Sequence, residues 1–502
     1  MSPVTEDLHE LVTKLNDPSW MVRRSVVQRL GLSGGAASLV LDALIHQRDS
    51  EARIAAAVDT LVHSVADIEK MIEPLSEHHD PAVVADVAQI LGRRRNQAAL
   101  PILTKLSRHP DDNVAVGAIE GLGKVGGRAA VEAMVDSIKT ENFFRVFPAI
   151  DVLGRSGDPR AVEPLAELLG NPTYLVDAAR ALGKTGERSA VKPLMKLLKT
   201  RSDSVVRVAA AAITELREKF ADKSGGDTRI IDELMRMQGE PENVRQLIRA
   251  LATADVPETI AICGLLGAIG NAEAAVVLTS LLDGAPKAAA AAASALRKIE
   301  KGSDQPILES LRDGSSERRK AILPIVYRFS AAEEVAKCLN DEDPTVRTLA
   351  CEALARLGNG AVVEQLFPLL ADKNLQVVHA AVSAIQALGN RSARELAIRA
   401  ASDADPKVRR AAVRIMTYFG DDAALQPMLA ALKDSDARVQ ELALQGLPYL
   451  ESPLALEALF EAARSPHEKM RALALRALGL VPNVSERVIS VILKGLTDSD
   501  SW

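Results

Sequence analysis

The amino-acid sequence predicts an all-α protein built as a solenoid of stacked helical hairpins. Three observations carry that prediction. First, one short block recurs at intervals of thirty-one residues: Asp343-Pro344-Thr345-Val346-Arg347-Thr348-Leu349-Ala350 returns as Asp405-Pro406-Lys407-Val408-Arg409-Arg410-Ala411-Ala412 and as Asp436-Ala437-Arg438-Val439-Gln440-Glu441-Leu442-Ala443. Its anchors Val346, Val377, Val408, Val439 and Met470 keep the interval throughout. A fixed period of this length marks units that bury their apolar faces only against their neighbours. Second, the chain is 47% hydrophobic but only 3% aromatic, so its apolar mass is Ala, Leu and Val, which suits closely spaced helices better than sheet. Third, 502 residues exceed the roughly 250–300 that one core encloses, a limit that repetition escapes.

The same register runs backwards through Val22, Ala52, Val83, Val114, Phe144, Val176 and Val206. Each unit holds two amphipathic stretches: helix A, as in Ala161 to Leu169, and helix B, as in Leu175 to Gly183. Helix B is expected to end in a left-handed glycine at Gly31, Gly92, Gly123, Gly154, Gly183, Gly358, Gly389, Gly420 and Gly479. Helix A carries Pro in its first turn (Pro101, Pro164, Pro193), where N–H groups lack intrahelical acceptors anyway. The Asp ahead of helix B fits an N-cap.

The rhythm fails after Arg217, where Glu218 to Asp227 supplies charge and paired Gly. The expected organisation is therefore an N-terminal array over 1–217, an irregular hinge or loop over 218–243 and a C-terminal array over 244–502. Leu496 to Trp502 resembles the run Leu15 to Trp20 that leads into a helix B. From this the chain is expected to stop inside a repeat, as a fragment of a longer protein would.

Charge narrows the function classes. The net charge of −6, from 61 basic and 67 acidic residues, gives no overall positive field to gather nucleic acid or anionic membrane. The start, Met1 to Asp7, lacks the basic and apolar regions of a signal peptide. No run reaches the roughly 18 apolar residues of a membrane helix. Cys263, Cys338 and Cys351 stand singly without CxxC spacing, which argues against a disulfide framework or zinc site. A cytoplasmic protein is the expectation.

Paired helices of about thirty residues, with Asp-Pro-x-Val-Arg-x-x-Ala opening the second and Leu-Gly closing it, resemble HEAT repeats. Units such as Leu182-Gly183-Lys184-Thr185-Gly186-Glu187-Arg188-Ser189-Ala190-Val191-Lys192-Pro193-Leu194 look most like the bacterial subtype named after phycobilisome lyases. The resemblance covers nearly the whole chain and implies a HEAT-repeat α-solenoid, a right-handed superhelix of about 15–16 helical hairpins. It specifies function weakly, because the subtype includes scaffolds, regulatory segments, chromophore lyases and repair enzymes.

Three groups of residues are candidates for more than packing. The Arg after the anchor recurs at Arg23, Arg53, Arg145, Arg207, Arg319, Arg347, Arg409 and Arg471. With Asp343, Asp405 and Asp436 it reads as an Asp–Arg ladder linking adjacent repeats, since the guanidinium fork matches a carboxylate; a row of anion-binding arginines is the functional alternative. A second basic series follows the glycines: Arg93-Arg94-Arg95, Lys124, Arg155 and Lys184. It reads either as C-terminal helix-dipole neutralisation or as an edge that meets an acidic partner. Finally, Phe143, Phe144 and Phe147 enter one helix B, with Tyr174 at a nearby position in the next repeat. They fill the core or form a hydrophobic anchor beside Arg145.

Enzymatic chemistry finds little footing. Helical His–Glu pairs in successive units would resemble the iron-binding deoxyhypusine hydroxylases, but His9-Glu10 and His467-Glu468 fall at unlike repeat positions. Glu77-His78-His79-Asp80 sits in a turn and reads as solvated polar residues rather than metal ligands. No phosphate loop, nucleophile elbow or His-Glu-x-x-His motif appears. A HEAT-like DNA glycosylase would combine a basic face, aromatics and a carboxylate, yet Trp20 and the phenylalanines are far apart. The expectation is a noncatalytic scaffold or regulatory solenoid in bacterial signalling or assembly, without metal or cofactor, binding a partner protein on a concave helix-B face. The alternatives are a phycobilin-lyase-like accessory or the regulatory portion of a larger enzyme.

Overall fold

The structure, a computed structural model, describes residues 7–140, 142–299 and 302–498. All regular structure in these residues is helical. The chain divides into two compact units, Met1–Asn271 and Ala272–Trp502. Residues 499–502, on which the expectation of an interrupted repeat rests, lie outside the described residues.

In the first unit, helices B run Trp20–Leu32, Glu51–His63, Pro81–Arg94, Asp112–Val125, Phe143–Ser156, Leu175–Thr185 and Asp203–Lys223, each packed on the next. In the second, Pro344–Leu357, Leu375–Leu388, Pro406–Phe419, Ala437–Gly446 and Glu468–Leu478 stack in the same manner. Shorter helices A, such as Leu100–Leu106 and Val191–Leu197, cover the other side of each hairpin. The anchors Val83, Val114, Val346, Val377 and Val439 are fully buried between layers. Burying a Val side chain stabilises by about 1.5–3 kcal/mol, so the repeated anchor sets the register of each hairpin on its neighbour.

Glycine has two different roles, which corrects the single one expected. Gly358, Gly389 and Gly420 do cap their helices with φ of 68, 52 and 62°. In the first unit, however, Gly31, Gly92, Gly123, Gly154 and Gly183 lie within their helices, and Gly479 takes an ordinary φ of −69°. At Gly92, Gly123, Gly154 and Gly183 glycine is needed for contact. A Cβ on Gly154 would lie 2.7 Å from the Ala181 Cα, and one on Gly183 would lie 2.6 Å from the Ala212 carbonyl oxygen. Gly92 meets the Gly121 backbone in the same way, whereas a Cβ on Gly123 would run into the Val152 side chain. At Gly92, Gly154 and Gly183 successive helices B therefore touch backbone to backbone, and a residue with positive φ follows three positions after Gly92, Gly123, Gly154 and Gly183, at Arg95, Gly126, Gly157 and Gly186.

The expected hinge over 218–243 is mostly helical. Helix B Asp203–Lys223 runs into it, Arg229–Gln238 follows, and Pro241–Ala250 begins within it. The charge run that reads as flexible is a solvated helix face. Its end is tied down: Lys223 Nζ donates to the Thr185 carbonyl at 2.6 Å and pairs with Glu187 at 2.7 Å. Arg217 closes the remaining turn by donating to Asp232 at 2.6 Å and to the Thr228 hydroxyl at 2.9 Å.

Candidate functional site

The caps explain where the arginine ladder goes. Asp343, Asp405 and Asp436 accept from the N–H groups of Thr345, Lys407 and Val439 at 2.7, 2.8 and 3.0 Å, so each is an N-cap. The ladder does not use them as its rungs. Arg347 donates through Nε and Nη2 to Asp372 at 2.8 and 2.9 Å, Arg409 to Asp434 at 2.7 and 2.7 Å, and Arg471 to Asp498 at 2.8 and 2.7 Å. Arg319 pairs likewise with Asp341. Each acceptor lies in the turn of the following repeat. The third donor nitrogen returns to the arginine's own turn, as from Arg409 Nη1 to the Asp403 and Ala404 carbonyls at 3.0 Å.

Asp341, Asp372 and Asp434 sit two residues before a cap and also hold its backbone. Asp372 and Asp434 accept from Asn374 N and Asp436 N at 2.7 Å. His78 and His109 occupy the same place in the first unit, their Nδ1 atoms accepting from Asp80 N and Asp111 N at 3.1 Å. That gives His78, in the Glu77-His78-His79-Asp80 run, a structural use. Among the described residues no group of three or more His, Cys, Asp or Glu is placed to hold a metal ion.

The other ladder arginines depart from this pattern. Arg23 bonds the Asp17 and Pro18 carbonyls of its own turn, Arg53 pairs with Asp49 at 2.7 Å, and Arg207 reaches Glu258 at 3.0 Å. The Arg347–Asp372 hydrogen bonds hold that carboxyl below its usual range although burial opposes them. Asp343 and Asp436 are held lower still, to about 2, by Lys320 and Arg410 respectively.

The basic row is largely neutralised from within. Arg94, expected at a partner-binding edge, points inward: it pairs with buried Glu69 at 2.9 Å and donates to the Leu61, Val62, Ser64 and Ala66 carbonyls. Burial raises the Glu69 carboxyl's affinity for its proton, but Arg94 outweighs that and the net shift is downward. Arg155 and Lys184 converge on Asp151 at 2.9 and 2.7 Å, and Arg93 pairs with Asp59 at 2.7 Å. Lys124 is exposed and has no acidic partner among the described residues.

The aromatic group differs from a core. Asn142 caps helix Phe143–Ser156 by accepting from Phe144 N at 2.9 Å, which leaves Phe144 one residue short of the anchor position and exposed, with Val146 buried at the place of Val84 and Ala115. Phe143, Phe144 and Phe147 are 48, 62 and 43% exposed, while Tyr174 beneath them is only 9% exposed. The Phe143 ring stacks on Tyr174 with centroids 6.2 Å apart and touches Phe147 at 5.5 Å. Pro148, inside this helix, lacks the N–H that would bond the Phe144 carbonyl, which leaves a backbone acceptor beside the rings. Arg145 is not part of the open patch. It donates to the His109 carbonyl at 2.7 Å and lies 3.5 Å from Asp112, both in the preceding repeat.

Hairpins stacked in register, many of them capped by an Asp or Asn and several latched by an arginine to the next, define an α-solenoid. The chain belongs to the HEAT-repeat family: the model for HEAT repeats matches residues 68–147, 148–214, 332–401, 363–447, 393–478 and 425–502, more than half of the chain. Among solved structures it is similar to human deoxyhypusine hydroxylase in complex with glycerol, at 18% identity and a TM-score of 0.24, over 64% of this chain and 95% of that chain. At that identity and score the likeness carries nothing about chemistry. No curated protein sequence matches the chain. No described helix is long and apolar enough to cross a membrane.

Proposed function

We propose that the protein is a noncatalytic, cytoplasmic scaffold that binds a partner protein on the helix-B surface of its first unit, centred on Phe144 and Phe147. The observation that carries this reading is the exposure of three rings in one patch. The chain has only eight phenylalanines, and placing three of them in water is unfavourable for the free protein unless a partner covers them. Phe143 and Tyr174 support the patch from below, so it is preorganised and loses little side-chain freedom on binding.

The test is affinity capture on the immobilised full chain, with proteins retained identified by mass spectrometry. The Phe144→Ser/Phe147→Ser variant should lose a retained protein by more than tenfold, as expected for the loss of aromatic anchors worth about 2 kcal/mol each. Its circular dichroism should match that of the wild type. Undiminished retention of every captured protein by a folded variant overturns the proposal.

A further inference from the structure

The second unit holds a groove that neither the ladder nor the aromatic patch accounts for. It is about 420 Å³ in volume and runs across helices Pro406–Phe419, Ala437–Gly446 and Glu468–Leu478. Its lining follows the repeat. Arg414, Gln445 and Arg476 are spaced by thirty-one residues, as are Tyr449 and Leu480, and as are Leu442 and Leu473. The three helices B thus present one polar row, and the last two hairpins flank it with apolar residues, Leu442 and Leu473 on the helices and Tyr449 and Leu480 just past their ends. Tyr449 and Leu480 are each 55% exposed.

The two arginines at the ends of the polar row differ from those of the ladder. Arg347, Arg409 and Arg471 are fixed to carboxylates, whereas the Arg414 and Arg476 side chains, both exposed, have no acidic partner among the described residues. The acids on the middle helix are already engaged: Asp436 with Arg410, and Glu441 with Arg438 and Lys469. Two free guanidinium groups flanking an apolar floor call for a ligand with negative charge at both ends and a hydrophobic centre. Two cations are too few for a nucleic-acid backbone, whose binding rests on many phosphate contacts.

We infer that this groove binds an extended acidic peptide segment of a partner protein, with two carboxylate residues on Arg414 and Arg476 and one large apolar side chain between them against Leu442, Tyr449 and Leu480. Helices pack about 8–10 Å apart, so the two arginines, two helices apart, are separated by roughly 16–20 Å. An extended chain rises about 3.3 Å per residue, which sets the two carboxylates about five or six residues apart. The site is independent of the Phe144 patch and stands or falls separately from it.

The experiment is selection of a random dodecapeptide phage library on the full-length protein, followed by fluorescence anisotropy with the selected peptides. Selected sequences should carry acidic residues at that spacing around a large apolar residue, and should bind more weakly as salt rises. Their affinity should fall about tenfold or more on Arg414→Glu/Arg476→Glu, and severalfold on the milder Arg414→Gln/Arg476→Gln. It should be unchanged on Phe144→Ser/Phe147→Ser. Selected peptides without acidic enrichment, or peptides that bind the Gln variant as tightly as wild type, overturn the inference. Equal binding by a single-stranded oligonucleotide of matched charge overturns it too.

Discussion

Arg409 commits all three of its guanidinium nitrogens inside the protein, two to Asp434 of the next repeat and one to carbonyls of its own turn. Both side chains are nearly buried, at 12 and 10% exposure, so neither finds water as a substitute partner when the other is removed. A double-mutant cycle with Arg409→Ala and Asp434→Ala, followed by urea unfolding, should give a coupling of about 1.5–3 kcal/mol at pH 7. The Arg409 hydrogen bonds hold the Asp434 carboxyl below its usual range. Its folded pKa is therefore lower than its unfolded value of about 3.9, so the stabilisation is complete above that value and is lost as pH falls through the folded one. The coupling should shrink as pH drops below about 4; one that grows on acidification contradicts the latch. The sequence showed the arginines and the caps, but not which acid the arginines use. The true acceptor, as in Asp372 and Asp434, is some twenty-five residues away, and the place before the cap that it occupies holds His109 or Ser465 in other repeats, where only the cap backbone is bonded, so no repeat of one letter marks it.

At the scale of the element, the spacing of glycines was legible and their purpose was not. Gly154 and Gly358 both end a Leu-Gly or near-equivalent run, yet one is a helix-to-helix contact and the other a left-handed cap. Only the neighbouring helix, here Leu175–Thr185 with Ala181 against Gly154, distinguishes them. Gly154→Ala should lower stability by about 1–3 kcal/mol through overpacking. A Cβ on Gly358 meets nothing within 4 Å, so Gly358→Ala should cost only the left-handed backbone strain of about 1–2 kcal/mol. Adding Ala181→Gly should recover part of the Gly154→Ala loss and none of the Gly358→Ala loss in thermal unfolding. Equal recovery of both would show that close packing is not what Gly154 serves. The same limit explains the misread segment 218–243: Lys219 and Lys223 look like linker charge until Thr185 and Glu187 of an earlier repeat are seen to receive Lys223. It also explains Phe144, which periodicity places at a buried anchor and the Asn142 cap leaves one residue short of it.

For the molecule as a whole, the family and the all-α class followed from the thirty-one-residue period, because period is a property of sequence that folding preserves. The exposed phenylalanines and the Arg414–Arg476 groove follow instead from small local departures, a shifted cap in one unit and two arginines without carboxylates in the other. Both readings require that each hairpin depend on its neighbours alone, so that surface positions are free to vary. The most direct measurement of that claim is circular dichroism and thermal melting of a chain lacking one whole period, residues 343–373. The deletion joins Glu342 to Asn374, so that an Asx cap again follows Asp341 by two residues. Helicity per residue should be unchanged and the melt should stay cooperative at a modestly lower temperature. Loss of cooperative melting, or a collapse of helicity beyond the residues removed, would contradict that claim.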